Sequence, residues 1–162
     1  MIWGTSMLFC AILLAVMLLI AAGFDLKSRI IPNWLNLLIA LTAPLAWWAQ
    51  GLSLWPDIGW QFGSAIAVFA VFAALFAIGG IGGGDVKMIA ALALWIDARL
   101  ILSLLLVMAL VGGVIAGVML LRQKLSKTAP NPEVPYGVAI AFAGFWALHQ
   151  QFINHFPSIP AT

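Results

Sequence analysis

Long apolar runs separated by short polar stretches dominate the pattern of this 162-residue chain. A helix needs roughly 20 apolar residues to cross the hydrocarbon core of a bilayer, and each run is long enough to contain one. The runs are continuously apolar, whereas strands of a membrane barrel alternate apolar and polar residues, so the pattern predicts helices. The uncharged runs are Met1 to Phe24, Ile30 to Pro56, Ile58 to Gly84, Leu100 to Leu121 and Val134 to Thr162.

The polar stretches divide the chain into about six predicted transmembrane helices. Pro32 suits the first turn of a helix, where its missing N–H is not needed, and Asp85 is a residue type suited to a helix start. The fourth helix is short, because only nine uncharged residues separate Lys87 from Asp97. We expect an all-α polytopic membrane protein, one membrane-embedded domain over 1–162, with helices near 4–24, 32–50, 58–79, 85–97, 100–121 and 136–152.

Composition and charge support a location in the lipid bilayer. The chain is 65% hydrophobic and 7% charged, whereas about 25% of the residues in an average soluble domain are charged. Its basic residues flank apolar runs, which indicates membrane topology rather than nucleic-acid binding. With six spans, Arg99 lies alone on one side, and the positive-inside rule places both termini on that outer side. The cytoplasmic side then holds Lys27, Arg29, Lys87, Arg122, Lys124 and Lys127.

Several residues have ordinary structural interpretations. Cys10 is the only cysteine, which excludes an internal disulfide and a cysteine-based zinc cluster, and no metal or cofactor site is expected. For the GxxxG pair Gly113 and Gly117 we expect packing within the bundle rather than a dedicated dimer face, and the oligomeric state stays open. The tryptophans that fit a membrane-interface belt are Trp34, Trp47, Trp48, Trp55, Trp60 and Trp95.

Asp25 and Asp85 are the strongest candidates for chemistry. The chain has only five acidic residues, and a carboxylate near the bilayer core is energetically costly. The charge rule places both on the cytoplasmic side. Asp25 can also be a helix-end acid paired with Lys27 or Arg29, and Asp85 an N-cap of the fourth helix. If the two meet, one carboxylate can take a proton from water while the other, protonated, polarises a carbonyl group.

The run Gly82-Gly83-Gly84 before Asp85 is the second unusual feature. Glycines allow another chain to approach closely and make positive φ accessible. At membrane depth such a segment is tolerated where protein buries it or water lines it. No Lys-Ser/Thr pair follows and no strand precedes, which opposes a phosphate-binding loop. The remaining alternative is that the glycines merely end the third helix.

The motifs around both aspartates resemble those of prepilin peptidases. Gly82-Gly83-Gly84-Asp85 reads as a GxGD motif, and its extension to Lys87 is similar to the GxGDxK form of that family. Asp25, followed by Arg29 and Ile31-Pro32-Asn33, resembles the first aspartate region of the family. Pro135-Tyr136-Gly137 is similar to its final-helix motif, so the likeness covers nearly the whole chain in order.

This resemblance to type IV prepilin leader peptidases implies a bacterial inner-membrane aspartic protease with Asp25 and Asp85 as its catalytic pair near the cytoplasm. Members of the family remove short basic leader peptides from prepilin or pseudopilin precursors. Larger members have paired CxxC motifs in a cytosolic region and N-methylate the new terminus. Here only a few polar residues separate the first two spans and Cys10 is alone, so methyltransferase activity is not expected. The short form looks like the TadV/CpaA branch, which serves Flp-type pili.

The other polar residues have two interpretations each. Lys87 can contact the precursor or influence ionisation of the aspartates, or it can be an interface cation that extends to the headgroups. Lys27 and Arg29 are expected to set topology rather than bind substrate, and Glu133 to be a solvated loop acid rather than a contact to a basic leader. The remaining polar residues are expected to lie on the outer side without a chemical role: Asp57, Asp97, His149 and His155.

Two other functions remain open. A presenilin-like GxGD protease acting on ordinary membrane helices would share both aspartates, but it usually has a Tyr-Asp pair where this chain has Phe24-Asp25. A small proton-coupled transporter would favour mid-span acids and inverted repeats of broken helices. Both acids lie at span edges here and no repeat is evident, which opposes a transporter.

Overall fold

Six α-helices make up most of the chain in a computed structural model that describes residues 2–126 and 134–155. A π-helical turn (Leu54–Ile58) precedes the third helix and a 3₁₀ turn (Ala98–Leu100) precedes the fifth. No strand occurs within the two described ranges, so the prediction of an all-helical membrane protein is confirmed. The helices are α1 (Ile2–Ser28), α2 (Asn33–Gln50), α3 (Gly59–Ala77), α4 (Gly83–Ala93), α5 (Ile101–Ser126) and α6 (Tyr136–His155).

Three helical segments are long and apolar enough to cross a bilayer, namely Thr5–Ser28, Leu54–Ala77 and Ala98–Leu125. Many of their large apolar side chains are exposed, as expected of side chains that face lipid tails. The count of six spans and the outer position of the termini stay predictions. In particular, the 11 residues of α4 rise roughly 16 Å, about half the thickness of a bilayer core.

The short helix α4 lies at the centre of the bundle. It packs against α2, α3 and α6, and its apolar residues Met88, Ile89 and Leu92 are fully buried. A helix surrounded by protein on most sides does not need to cross the lipid alone. Gly144 of α6 allows a close approach, because a Cβ built there would lie 3.1 Å from Leu92. The core of the protein is therefore built around the helix that begins with the glycine run.

The boundaries of α1 and α4 differ from the sequence-based expectation. α1 continues through Ser28 instead of ending near residue 24, so Asp25 lies on a helix rather than in a loop. Lys27 in its last turn is favourable at a helix C-terminus, and Arg29 with φ 56° then ends the helix in the left-handed region. α4 begins at Gly83 rather than Asp85 and ends at Ala93, before Asp97.

The interface assignment was wrong for two of the six tryptophans. Trp47 and Trp95 are buried, and each indole N–H donates to a backbone carbonyl group 2.7 Å away. Trp47 donates to Leu94 just beyond α4, and Trp95 donates to Ile39 of α2. Buried indoles are stabilised by such partners. The other four tryptophans are exposed, as a membrane-interface position requires: Trp34, Trp48, Trp55 and Trp60.

The packing expectation for the GxxxG pair was also wrong. A Cβ built on Gly113 or Gly117 would meet no atom within 4 Å outside its own helix, and both glycines are exposed. The contact to α6 is made instead by the neighbouring Gly112, where a Cβ would lie 3.6 Å from Ala139 and from the ring of Tyr136.

Candidate active site

Asp25 lies near the end of α1 and is buried, with 4% of its surface exposed. Its Oδ2 accepts a hydrogen bond from the backbone N–H of Val138 at 3.1 Å, and the backbone N–H of Gly137 also donates to the carboxyl group. Both donors belong to the first turn of α6, where N–H groups have no partner within the helix. The N-terminus of α6 therefore holds this carboxyl group in place, with the helix dipole favouring negative charge there.

The segment Pro135-Tyr136-Gly137 provides the space for that contact. A Cβ built on Gly137 would lie 2.9 Å from Cγ and Oδ2 of Asp25 and 2.8 Å from Cδ1 of Ile31. These separations are too short for packed atoms, so only glycine fits there without displacing the carboxyl group. Pro135 is buried immediately before α6 begins at Tyr136. The third motif found in the sequence is thus in direct contact with the first aspartate.

Asp85 lies in the first turn of α4 and is partly buried. Its carboxyl group accepts a hydrogen bond from the backbone N–H of Gly82, the N-cap of the helix. An acid at the third helical position that returns to the N-cap N–H forms one half of a capping box. The alternative that Asp85 is itself the N-cap is therefore wrong, because the helix starts two residues earlier than the sequence indicated.

Close approach explains the glycine run, whereas positive φ does not. A Cβ on Gly83 would lie 3.3 Å from the ring of Phe76 on α3, and one on Gly84 would lie 3.4 Å from the backbone oxygen of Ile31. None of the three glycines has positive φ. Positive φ occurs instead at Gly79 (φ 77°), just after α3 ends. The run therefore starts α4 rather than terminating α3, and Gly83 allows the ring of Phe76 to pack closely against the start of the helix.

Asn36 is a residue of this region that sequence reasoning missed. It is buried on α2, and its Nδ2 donates to the backbone carbonyl group of Gly84 at 3.0 Å. Its Oδ1 is buried and has no hydrogen-bond partner within the described structure. The amide thus ties α2 to the turn that carries Asp85. An asparagine three residues after Asn33, inside an apolar run, is the signal by which it could have been found.

Both aspartates line one cavity of about 620 Å³, which we call the aspartate cavity. The two carboxyl groups are near enough for the charge of Asp25 to act on Asp85, and the charge of Arg29 acts on Asp25. Lys87 lies on the cavity wall and is exposed, and its Nζ donates to Oδ1 of Asn33 at 2.8 Å. The cavity thus combines two acids, two cations and an amide in a volume that holds several water molecules.

The remaining predicted polar residues lie elsewhere. Asp57 and Asp97 line a second cavity of about 370 Å³ together with Arg99. Asp57 accepts hydrogen bonds from the backbone and hydroxyl of Ser53, and Asp97 accepts from the backbone N–H of Arg99. Lys27 and His149 are exposed on their helices. Three residues named from the sequence fall outside what the structure describes: Lys127, Glu133 and the side chain of His155.

The arrangement can perform acid–base chemistry on a molecule held between the carboxyl groups. Two carboxyl groups that share a cavity and interact electrostatically titrate as a pair, so one can be ionised while the other keeps its proton. The ionised group can activate water, and the protonated group can polarise a carbonyl oxygen. Among residues 2–126 and 134–155, no group of three or more histidine, cysteine or acidic side chains is positioned to hold a metal ion.

The sequence profile of the type IV leader peptidase family matches residues 12–117, a range that contains both aspartates and the glycine run. The match covers more than half of the chain. This chain therefore belongs to the type IV leader peptidase family, and the resemblance noted from its motifs is confirmed. Its place in the TadV/CpaA branch stays a prediction.

Several relatives carry the name prepilin leader peptidase/N-methyltransferase. That of Xanthomonas campestris pv. campestris is 30% identical over 152 residues, which are 85% of this chain and 50% of the relative. That of Bacillus subtilis is 30% identical over 143 residues (82% and 54%), and that of Aeromonas salmonicida is 30% identical over 157 residues (90% and 50%). The chain spans about half the length of these relatives. No solved structure matches it.

Proposed function

We propose that this protein is a membrane aspartic endopeptidase that removes the leader peptide from type IV or Flp-type prepilin or pseudopilin precursors. The observation that carries the proposal is the presence of Asp25 and Asp85, which come from different helices, in one cavity large enough for water and a peptide segment. Membership of the type IV leader peptidase family supports peptide hydrolysis, and the relatives' printed name supports a prepilin substrate.

Hydrolysis then uses the two carboxyl groups in complementary states. The ionised member of the pair takes a proton from water as the oxygen attacks the scissile carbonyl carbon, and the protonated member donates a hydrogen bond to the carbonyl oxygen. Breakdown of the tetrahedral intermediate returns a proton to the leaving nitrogen. The contacts of Asp25 to α6 and of Asp85 to Gly82 hold each group in position before substrate arrives.

The cavity faces the cytoplasm in this proposal, and the protein lies in the bacterial inner membrane. Six of the seven basic residues lie on the same side as both aspartates when six spans alternate, which supports this orientation through the positive-inside rule. Lys87 and Arg29 at the cavity wall are then close to the headgroup region, where charged side chains can reach water. The single domain over 1–162 is part of the same proposal.

The proposed reaction does not include N-methylation. Only residues 29–32 connect α1 and α2, so no cysteine-rich insertion separates these helices. Cys10, the only cysteine, is buried in α1. The product of this chain should therefore have the mass of a cleaved precursor without an added methyl group, which intact mass spectrometry of the product measures directly.

The decisive experiment replaces each carboxyl group by an amide of the same shape. Asp25→Asn and Asp85→Asn should each leave the protein folded and reduce precursor processing by about a thousandfold or more, as loss of an essential acid–base group does. Asp97→Asn, which lies in the second cavity, serves as the control and should process normally. If either Asn variant converts precursor to mature pilin at the wild-type rate, the proposed pair is wrong.

A second substrate separates this proposal from a general intramembrane protease. The purified protein should cut a prepilin leader and leave an unrelated signal peptide intact. Equal cleavage of both would favour the presenilin-like alternative, which uses the same two aspartates on other helices.

A further inference from the structure

An apolar groove of about 560 Å³ runs along α4 and meets the aspartate cavity at Asn33 and Lys87, which line both. α4 packs against α2 and α3 and forms the floor between them. Each helix lines the groove at positions i, i+3, i+4 and i+7, starting at Asn33 on α2, Phe62 on α3 and Lys87 on α4. Residues with this spacing lie on one face of a helix, and the face is about two turns long, or roughly 10 Å.

The lining of the groove is apolar along most of its length. Alanines of all three helices line it, and larger side chains such as Leu37 and Ile66 are exposed along its sides. At the end remote from the aspartates, Phe62 makes an edge-to-face contact with Trp47, and the ring centroids are 5.2 Å apart. The groove therefore meets the aspartate cavity at one end and is open along its side.

The two ends of the groove differ in polarity, and this difference indicates which kind of molecule the groove binds. The chain around a peptide bond must be extended for that bond to be cleaved. The exposed backbone groups on either side of the bond then need hydrogen-bond partners at membrane depth. Asn33 and Lys87 supply such groups where the groove meets the cavity. Farther along, the walls are apolar, so a bound chain must satisfy its own backbone as a helix.

We propose that this groove binds the first two helical turns of an apolar segment that follows the cleaved bond in the precursor. The inference rests on the proposed function, and it adds a binding surface for the part of the substrate that is not removed. The groove is continuous with the aspartate cavity, and polar groups lie where the two meet. These features favour a polypeptide over a lipid acyl chain, because an acyl chain has no groups that need hydrogen-bond partners there.

Photo-crosslinking from two neighbouring positions of α2 tests this proposal. Leu37 lines the groove, whereas Leu38 does not, and both are exposed at the same depth of α2. In an Asp85→Asn background that retains uncut precursor, Leu37→benzoylphenylalanine should crosslink to the precursor and Leu38→benzoylphenylalanine should not. Crosslinks from Leu37 to phospholipid alone, or equal precursor crosslinks from both positions, would overturn the proposal.

Filling the groove gives a kinetic test with a matched control. Ala40→Phe places a ring in the groove, and Ala67→Phe places the same ring on an exposed position of α3 outside it. Ala40→Phe should lower kcat/KM for the full precursor about tenfold or more through KM, with unchanged cleavage of a peptide that ends soon after the cleaved bond. Ala67→Phe should leave both unchanged.

The outcomes separate this inference from the function on which it rests. If wild-type protein cuts neither the precursor nor the peptide, the proposed function is wrong and the inference falls with it. If wild-type protein and Ala40→Phe cut the full precursor equally well, the protease stands and the groove assignment is wrong.

Discussion

The two ends of α4 differ in how their polar groups are satisfied. At the N-terminal end, Asp85 faces the aspartate cavity, and Asn36 keeps an unpaired amide oxygen. Just beyond the C-terminal end, the carbonyl group of Leu94 accepts hydrogen bonds from the side chains of Trp47 and Gln61. We call the first the reactive end and the second the anchored end.

The difference follows from the length of the helix. A helix has four C=O groups without intrahelical partners at its C-terminus. In the six-span prediction, the 11-residue helix stops at membrane depth, where these groups cannot bond to water. Gln61 therefore donates to both Leu94 and Ile96, and Gln151 reaches the carbonyl group of Trp95. Fixing one end in this way leaves the other free to keep polar groups available for a substrate.

After replacement of the aspartates themselves, the largest effect on the reactive end is expected from Gly137→Ala. The added Cβ would lie 2.9 Å from the Asp25 carboxyl group, so that group must move. A displacement of about 1 Å costs on the order of a hundredfold in rate, and kcat for precursor cleavage measures it. Gly113→Ala, where the Cβ meets nothing within 4 Å, is the control and should retain activity. Full activity in Gly137→Ala would show that the position of Asp25 is not critical.

At the anchored end, Gln61→Met should affect stability instead of chemistry. Methionine has a similar volume but cannot donate, so the carbonyl group of Ile96 loses the side-chain donor while that of Leu94 keeps Trp47. A buried unpaired group costs about 1–3 kcal/mol. The midpoint temperature of unfolding in detergent should fall, while kcat of the folded protein stays near that of the wild type. A loss of kcat without a loss of stability would contradict the distinction between the reactive end and the anchored end.

These contacts show what could be predicted from the sequence. The apolar runs and the polar stretches between them located all six helices, and the scarcity of acids singled out Asp25 and Asp85. Both signals lie within single segments of chain. The contacts of Trp47 and Gln61 were missed since their partner is a backbone carbonyl group more than thirty residues away, and no residue type marks it. The contact between Asp25 and α6 could not be predicted for the same reason, although the sequence motif at the start of α6 was recognised.

A smaller effect is expected at Asn36. Asn36→Leu removes the donor to the Gly84 carbonyl group, so the turn carrying Asp85 loosens and kcat should fall about tenfold, less than for direct displacement of an aspartate. The free energy of unfolding should change by less than about 1 kcal/mol, because the unpaired Oδ1 is removed together with the hydrogen bond. A large loss of stability at constant kcat would place Asn36 with the anchored end instead.

The central claim, that Asp25 and Asp85 face each other in one cavity, is tested most directly by a crosslinking measurement. In a Cys10→Ala background, Asp25→Cys and Asp85→Cys are combined in one chain and treated with a short bifunctional thiol reagent. Asn33→Cys with Lys87→Cys, whose native side chains are 2.8 Å apart, is the positive control. The account predicts an intramolecular crosslink for both pairs, and a crosslink in the control pair without one between positions 25 and 85 would contradict it.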